Sequence, residues 1–242
     1  MNLPRERGRR PSRLRAVVTD VDGTLTDPER RLDPGAIRWV RRLERAGIPV
    51  VLATGNVLPI ALALHRSLGL SGPIVAENGG ILFRREAGHE RVERLADRRP
   101  ALAAFRALRA AGLPVRRLFT DRWRESEVAI EPTVPVARIR RALGRRGVRV
   151  ESTGYAIHLM QRGTGKRIAL ERALAPLGLS LADCVVLGDG DNDVEMLRAA
   201  GFGVSFASAS ARARRAARYV TKATFADGFV EGLKASTVLA RP

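Results

Sequence analysis

Short, largely apolar runs alternate along this chain with segments of helical periodicity. The runs are rich in β-branched residues and lie at 16–19, 48–53, 74–76, 184–187 and 202–206. Such runs are typical of strands buried on both faces of a parallel sheet. Between them apolar residues recur every three or four positions, as in Ile37, Val40 and Leu43, which indicates amphipathic helices. The pattern predicts an α/β fold, with a doubly wound, Rossmann-like parallel sheet covered by helices.

The pattern changes between residues 84 and 161, where the long buried runs disappear. Here the spacing predicts two helices, at 99–111 and 135–143, and about four short strands, at 115–119, 127–130, 148–151 and 156–160. A segment of this kind is a small α+β domain with its own sheet. We therefore expect a catalytic core of residues 15–83 and 162–242, an inserted cap domain of residues 84–161, and a mobile basic tail at 1–14.

Composition limits the class of protein. The chain has 242 residues, 45% of them hydrophobic, which is enough for a full core. Its apolar runs are much shorter than the roughly 20 residues of a membrane span, and its arginine-rich start lacks a signal-peptide layout. We expect a cytoplasmic protein with no membrane partner. The single cysteine, Cys184, lies in an apolar run and is expected to be a buried thiol.

A net charge of +18 raises the question of nucleic acid as a partner. The charge is spread along the chain, however, and aromatic residues make up only 5%, too few for an obvious base-stacking surface. Both features argue against nucleic acid. Residues 84–161 contain eighteen arginines and nine acidic residues, half of the net charge. This excess either draws anionic substrate to the cap or is simply a solvated surface.

Two aspartates follow the first predicted strand directly. Asp20 and Asp22 are two positions apart at its end, so their side chains project to the same side. Carboxylates this close repel each other, and a divalent cation relieves that repulsion. A solvated, aspartate-rich turn would give the same pattern. These residues alone leave both interpretations open.

A Thr-Gly-Asn sequence separates the second predicted strand from the next helix. Thr54, Gly55 and Asn56 would offer a hydroxyl and backbone N–H groups at a helix N-terminus, where the helix dipole favours phosphate. An asparagine that caps the helix explains the pattern equally well.

Lys166 is one of three lysines and stands at the start of a predicted helix. The helix dipole disfavours a positive charge there, which suggests a function for it; an incidental surface lysine is the alternative. The stretch is not a P-loop, because Met160 replaces the first glycine and Arg167 follows the lysine.

A second acidic stretch, G-D-G-D-N-D, follows the predicted strand at 184–187. Its carboxylates suit a hard cation such as Mg²⁺. Asp193 stands where a dinucleotide-binding fingerprint has its third glycine, and its charge would repel a pyrophosphate.

Taken together, these four segments resemble the motifs of the haloacid dehalogenase superfamily of phosphatases. The resemblance implies that Asp20 is a nucleophile that forms an aspartyl-phosphate and that Asp22 is the general acid and base. It implies that Thr54, with Gly55 and Asn56, holds the phosphoryl group.

The same resemblance implies that Lys166 bridges the phosphate and the nucleophilic carboxylate. It also implies a Mg²⁺ ion as cofactor. The implied ligands are Asp20, the backbone carbonyl of Asp22, Asp189 and Asp193.

The insert resembles the larger cap type of this superfamily, and the segments A-T-G-N-V-L-P and A-E-N-G-G resemble those of archaeal phosphoglycolate phosphatases, relatives of the sucrose-phosphate phosphatases. This implies Mg²⁺-dependent hydrolysis of a small anionic phosphomonoester, 2-phosphoglycolate, to glycolate and phosphate. Sugar phosphates or other small phosphomonoesters are alternative substrates. An anion- or nucleic-acid-binding protein on a phosphatase-like scaffold is the alternative from another class. The sequence leaves monomer and homodimer open.

Overall fold

The strands and helices follow the alternation of the sequence. A computed structural model describes residues 14–144, 146–153 and 155–238, so the predicted tail at 1–14 lies outside the described residues except for Leu14. The strands are β1 (Ala16–Thr19), β2 (Val50–Ala53), β3 (Ile74–Ala76), β4 (Ile81–Glu86), β5 (His89–Arg94), β6 (Val128–Ile130), β7 (Val148–Ser152), β8 (Ile157–Gln161), β9 (Cys184–Leu187), β10 (Phe202–Ser205) and β11 (Tyr219–Val220). The helices are α1 (Pro34–Arg45), α2 (Leu58–Leu68), α3 (Arg99–Ala110), α4 (Val136–Leu143), α5 (Lys166–Leu174), α6 (Val194–Ala199), α7 (Ala211–Ala216) and α8 (Phe225–Ser236).

Within the described ranges, the main sheet has eight strands in the order β11-β10-β9-β1-β2-β3-β4-β5. The strands from β11 to β3 are parallel, and β4 and β5 run antiparallel to their neighbours. Every residue of β1, β2 and β9 is buried, as their apolar sequences require. The chain leaves β1 for β2 on one side and returns to β9 on the other, so the strand order reverses at β1. This confirms the predicted doubly wound sheet and puts the expected ligand-binding crevice beyond the carboxyl end of β1.

Helix α1 illustrates how local sequence fixes these elements. The Asp33 carboxylate accepts hydrogen bonds from the backbone N–H groups of Gly35 and Ala36, and Pro34 opens the helix where no N–H is needed. The helix buries Val40 and Leu43 against the sheet. The spacing of Val40 and Leu43 is part of the pattern that predicted this helix.

The main sheet extends beyond Phe83, where the core was expected to end. The antiparallel pair β4–β5 carries it to Arg94. Strand β5 (H-E-R-V-E-R) is almost wholly exposed, and charged side chains on such an edge protect it from pairing with other chains. It has no buried run that could have revealed it in the sequence. We therefore propose that the inserted cap begins after Arg94.

The inserted segment forms a separate antiparallel sheet of order β6-β8-β7 among the described residues, with α3 and α4 packed on it around their own apolar cluster. The predicted strand at 115–119 is wrong. There the chain makes a single bridge, Arg117 to Ile130, before a short 3-10 helix at Phe119–Trp123. In the described part of the chain, no helix has the length and apolar character needed to cross a bilayer.

Candidate active site

The carboxyl ends of three central strands meet at one level of the sheet. Thr19, the last residue of β1, pairs with Leu187 of β9 and with Leu52 of β2. The residues that follow these strands therefore emerge side by side at the same edge. In this way the fold brings together three sequence segments that were predicted to contribute to one site: those of Asp20, Thr54 and Asp189.

Lys166 lies beneath this edge rather than on the surface. Its side chain is fully buried, and its Nζ donates to Asp20 Oδ1 at 2.8 Å and to Asp193 Oδ1 at 2.7 Å. Burial opposes the charged form, but the two carboxylates outweigh it and raise the pKa of Lys166. The alternative of an incidental surface lysine is wrong, and the ammonium group reaches the predicted nucleophile.

The electrostatics of Asp20 reflect its crowded position. Burial raises the pKa of Asp20, the charge of Lys166 opposes this effect, and the neighbouring carboxylates of Asp193 and Asp189 reinforce it. A cation bound at this edge of the sheet would favour the ionised form of Asp20.

The acidic side chains fit a divalent cation. Asp20, Asp189 and Asp193 each offer a carboxylate oxygen, and these oxygens lie within 4.8 Å of one another. No lysine, arginine or histidine among the described residues forms an ion pair with Asp189, and burial together with the charge of Asp193 raises its pKa to about 7. The half-buried Asp189 carboxylate has no ion-pair partner among the described residues and lies next to the Asp193 carboxylate. Their oxygens are hard ligands of the kind that divalent metals prefer.

Among the described residues, Asp193 differs from Asp20 and Asp189 in that both of its carboxylate oxygens accept hydrogen bonds from the protein. Oδ1 accepts from Lys166, and Oδ2 accepts from the backbone N–H groups of Asp189 (3.1 Å) and Gly190 (2.9 Å). Asp193 thus holds the ammonium of Lys166 and the loop that carries Asp189. Its predicted role as a direct metal ligand stays a prediction, as does that of the Asp22 carbonyl.

A glycine lets the two acidic loops approach each other. Gly23 has a φ of +76°, and a Cβ at this position would lie 2.4 Å from Asp189 Oδ2. Only glycine combines that backbone conformation with this close approach.

The Thr-Gly-Asn segment connects to the second aspartate. The Asn56 side-chain amide donates to Asp22 Oδ2 at 2.7 Å, and the Asn56 N–H donates to Thr54 Oγ1 at 3.0 Å. Gly55 and Asn56 line the cavity above Asp20 and Asp22, whereas Thr54 is buried and is not part of the cavity wall. The role of Thr54 in holding a phosphoryl group stays a prediction.

A cavity of about 190 Å³ lies between this edge and the inserted domain. The sheet side contributes Asp20, Asp22, Arg30, Gly55, Asn56, Ile60, Asp189, Gly190 and Asn192, and the inserted domain contributes Thr120, Arg124, Thr153, Tyr155 and His158. The sequence did not indicate the residues from the inserted domain. They come from separate segments that only the packing of the small sheet brings together, and no spacing in the sequence signals that contact.

Comparison with known proteins agrees with the four motifs. A family model described as haloacid dehalogenase-like hydrolase matches residues 17–116 and 134–233. The chain is 39% identical to a phosphoglycolate phosphatase of Methanothermobacter thermautotrophicus, across 91% of this chain and 98% of the relative. It is 38% identical to a phosphoglycolate phosphatase of Methanoculleus marisnigri, across 91% and 96%.

Among solved structures, the crystal structure of protein 0175 of Thermoplasma acidophilum superimposes with a TM-score of 0.84 at 28% identity, covering 93% of this chain and 99% of that one. The residues matched by the family model include the strand ends that carry the acidic motifs. The chain belongs to the haloacid dehalogenase-like hydrolases, as the motifs around Asp20 and Asp189 predicted.

Proposed function

We propose that this protein is a phosphatase that hydrolyses 2-phosphoglycolate to glycolate and inorganic phosphate. The main structural support is the contact between the buried Lys166 ammonium and Asp20. Asp20 lies at the floor of a small cavity that Asp22 also lines. The relatives named phosphoglycolate phosphatase, matched over nearly their whole length, support the choice of substrate.

The reaction proceeds in two half-reactions. A carboxylate oxygen of Asp20 attacks phosphorus in line with the ester oxygen; the bond from phosphorus to that oxygen breaks, and Asp22 gives it a proton. Water then attacks the phosphorus of the aspartyl-phosphate and loses a proton to Asp22. The bond between phosphorus and Asp20 breaks, which releases phosphate and restores both carboxyl groups.

The residues around the nucleophile neutralise and orient the phosphoryl group. Lys166 supplies a positive charge next to the attacked phosphorus, and stabilisation of charge on the phosphoryl oxygens is the main task in this chemistry. The predicted donors to the same oxygens are the Thr54 hydroxyl and the Gly55 N–H, whereas the Asn56 N–H already donates to Thr54 Oγ1. Asn56 also holds Asp22 in place through its 2.7 Å hydrogen bond.

Mg²⁺ is the divalent cation that we propose for this site. Asp20 and Asp189 would hold it through carboxylate oxygens, with the Asp22 carbonyl and Asp193 as the further predicted ligands. When bound, the ion supplies positive charge that polarises the phosphoryl group.

The size of the cavity favours a small ester. At about 190 Å³ it is smaller than the roughly 300 Å³ at which pockets for drug-sized ligands begin. The proposal includes the cytoplasmic location predicted from the sequence and leaves monomer and homodimer as alternatives.

The experiment is phosphate release from 2-phosphoglycolate and from a panel of sugar phosphates, with and without Mg²⁺, with Asp20→Asn as the blank. The proposal expects Mg²⁺-dependent release with a marked preference for phosphoglycolate, and a folded but inactive variant. Release from other esters alone would keep the mechanism and reject the substrate. If no ester is cleaved and the protein instead binds DNA or RNA without metal in a strongly salt-dependent manner, the phosphatase assignment fails.

A further inference from the structure

Arg124 is an almost fully buried cation in the wall of the cavity that the inserted domain provides. Its side chain is 4% exposed, and it faces the same cavity as Asp20 and Asp22. A guanidinium cannot lose its proton in a protein, so its burial requires acceptors for its N–H groups.

Within the described part of the chain, hydrogen-bond acceptors are found for only one of its nitrogens. Nη1 donates to the Gly55 carbonyl oxygen at 2.9 Å and to Glu127 Oε1. Among the described residues, Nε has no hydrogen-bond partner and no protein acceptor is recorded for Nη2. The unused edge of the guanidinium, formed by Nε and Nη2, is the edge that pairs with a planar carboxylate through two parallel hydrogen bonds.

Glu127 fixes the orientation of Arg124 without needing a ligand itself. Its carboxylate accepts from Arg124, from His158 Nδ1 at 2.8 Å and from Asn78 Nδ2 at 3.1 Å. Burial works against its charged form, but the electrostatic interactions and hydrogen bonds with His158 and Arg124 prevail and lower the pKa of Glu127 to about 2. The hydrogen-bond donors around this carboxylate all come from the protein, so the N–H groups that still lack an acceptor are those of Arg124.

A second guanidinium strengthens the positive character of this side of the cavity. Arg30 comes from the sheet side and reaches the inserted domain, with its guanidinium 3.6 Å from the centre of the Tyr155 ring, and it forms no salt bridge with any described carboxylate. The aspartates and Lys166 lie at the opposite, sheet side. The sheet side of the cavity thus carries the groups proposed to bind a phosphoryl group, and the guanidinium groups of Arg124 and Arg30 are available to the rest of the substrate.

We propose that Arg124 binds the carboxylate of the substrate through its Nε–Nη2 edge, and that Glu127 and His158 are positioning residues that hold it there. This inference rests on the proposed function, because it assigns the non-phosphate end of the same substrate. It makes Arg124 the residue that distinguishes a carboxylate-bearing phosphomonoester from a neutral one.

The test measures binding with two phosphonates that cannot be hydrolysed. 3-Phosphonopropionate keeps the carboxylate, and 3-hydroxypropylphosphonate has a hydroxymethyl group in its place. Calorimetric titrations with Mg²⁺ compare the wild type, Arg124→Gln and Arg122→Gln; Arg122 is an exposed arginine two positions away. We expect the wild type and Arg122→Gln to prefer the carboxylate by about 10- to 100-fold, and Arg124→Gln to lose that preference with little change for the alcohol.

Retention of the preference in Arg124→Gln, or its absence from the wild type, would overturn the inference. Loss of Arg124 alone leaves Glu127 with one fewer cationic partner, which can prevent folding. The double variant Arg124→Met/Glu127→Gln removes both charges together, and we expect it also to lose the preference for the carboxylate.

Kinetics separate this inference from the proposed function. Phosphate release from 2-phosphoglycolate and from 2-hydroxyethyl phosphate is measured for the same proteins. For Arg124→Gln we expect KM for phosphoglycolate to rise about 10-fold or more and the kinetics of hydroxyethyl phosphate to stay within about 3-fold. If the wild type cleaves neither ester, the proposed function fails, while the phosphonate preference still decides the role of Arg124.

Discussion

The side-chain amide of Asn56 donates a 2.7 Å hydrogen bond to Asp22 Oδ2. This contact links the loop after β2 to the loop after β1 and fixes one oxygen of the proposed general acid. Without this contact, the side chain of an aspartate on a turn would populate several rotamers, and only some of them point at the ester oxygen. The Asn56 side chain therefore acts on the reaction through Asp22.

Asn56→Ala should lower kcat for 2-phosphoglycolate by about 10- to 100-fold, because a misplaced catalytic group costs this much. In an Asp22→Asn background the same substitution should change the residual rate by less than about 3-fold, since the group it positions is already gone. Steady-state phosphate release is compared for the wild type, the two single variants Asn56→Ala and Asp22→Asn, and the double variant. Independent, multiplicative effects of the two substitutions would show that Asn56 does not act through Asp22.

Lys166→Met should destabilise the metal-free protein. Its ammonium separates the carboxylates of Asp20 and Asp193, and removal of one member of a buried charge cluster costs about 3–5 kcal/mol. Turnover should also be lost, because the charge next to the attacked phosphorus is gone.

Urea unfolding at neutral pH, with a chelator present, measures the free-energy change. Lys222→Met is the control: this lysine is exposed, and we expect a change within about 0.5 kcal/mol. Equal stability of the two variants would contradict the bridging role that the geometry assigns to Lys166.

The positions of these acidic residues could be predicted from the sequence for a physical reason. A buried parallel strand ends at a definite edge, so polar residues directly after apolar runs must emerge there, as Asp20 and Asp189 do. The buried contact of Lys166 with Asp20 also followed the motif, although 146 residues separate the two. Such positions are fixed by the local sequence and by the strand register.

The residues of the inserted domain could not be predicted in the same way. Arg124 follows a 3-10 helix and His158 lies within β8, and they meet only through Glu127, which immediately precedes β6. One arginine among eighteen in residues 84–161 has no local signal that marks it as buried. Which arginine turns inward depends on how the small sheet packs against the core, and this information is distributed over many residues.

Asp189→Asn should weaken binding of Mg²⁺ by at least about 10-fold, since even residues behind the ligands of a metal site contribute that much. Asp191→Asn is the matched control in the same turn. Its carboxylate accepts from Ser210 Oγ at 2.7 Å and from Arg212 Nη1 at 3.0 Å, so it is already engaged by the protein.

Thermal unfolding over a series of Mg²⁺ concentrations reports the difference, because a ligand that binds only the folded state stabilises it by about 2.7 kcal/mol at 100 times its Kd. The wild type and Asp191→Asn should show a rise in Tm at the same concentrations, and Asp189→Asn only at higher ones. If only Asp191→Asn lost the rise in Tm, the result would indicate that the metal binds at the outer face of the turn, at Asp191.

Glu127→Gln should remove part of the acid sensitivity of the protein. The pKa of Glu127 is about 2 in the folded protein and 4.5 for the unperturbed side chain. Because the folded value is the lower one, the stabilising contribution is fully present above about pH 4.5 and is lost as the pH falls toward 2. A difference of this size corresponds to about 3 kcal/mol. The free energy of unfolding, measured in urea from pH 6 down to pH 3, should therefore fall less steeply in Glu127→Gln than in the wild type.

The comparison concerns the slope with pH, since the variant also loses a charge partner for Arg124 and His158 at every pH. Glu125→Gln serves as control: this carboxylate is two positions away, exposed, and paired with Arg94 at the surface, where solvent screens the pair. Its slope should match that of the wild type. An unchanged slope in Glu127→Gln would mean that the Glu127 carboxyl group is not held ionised by its neighbours, and that Arg124 is not fixed by a charged partner.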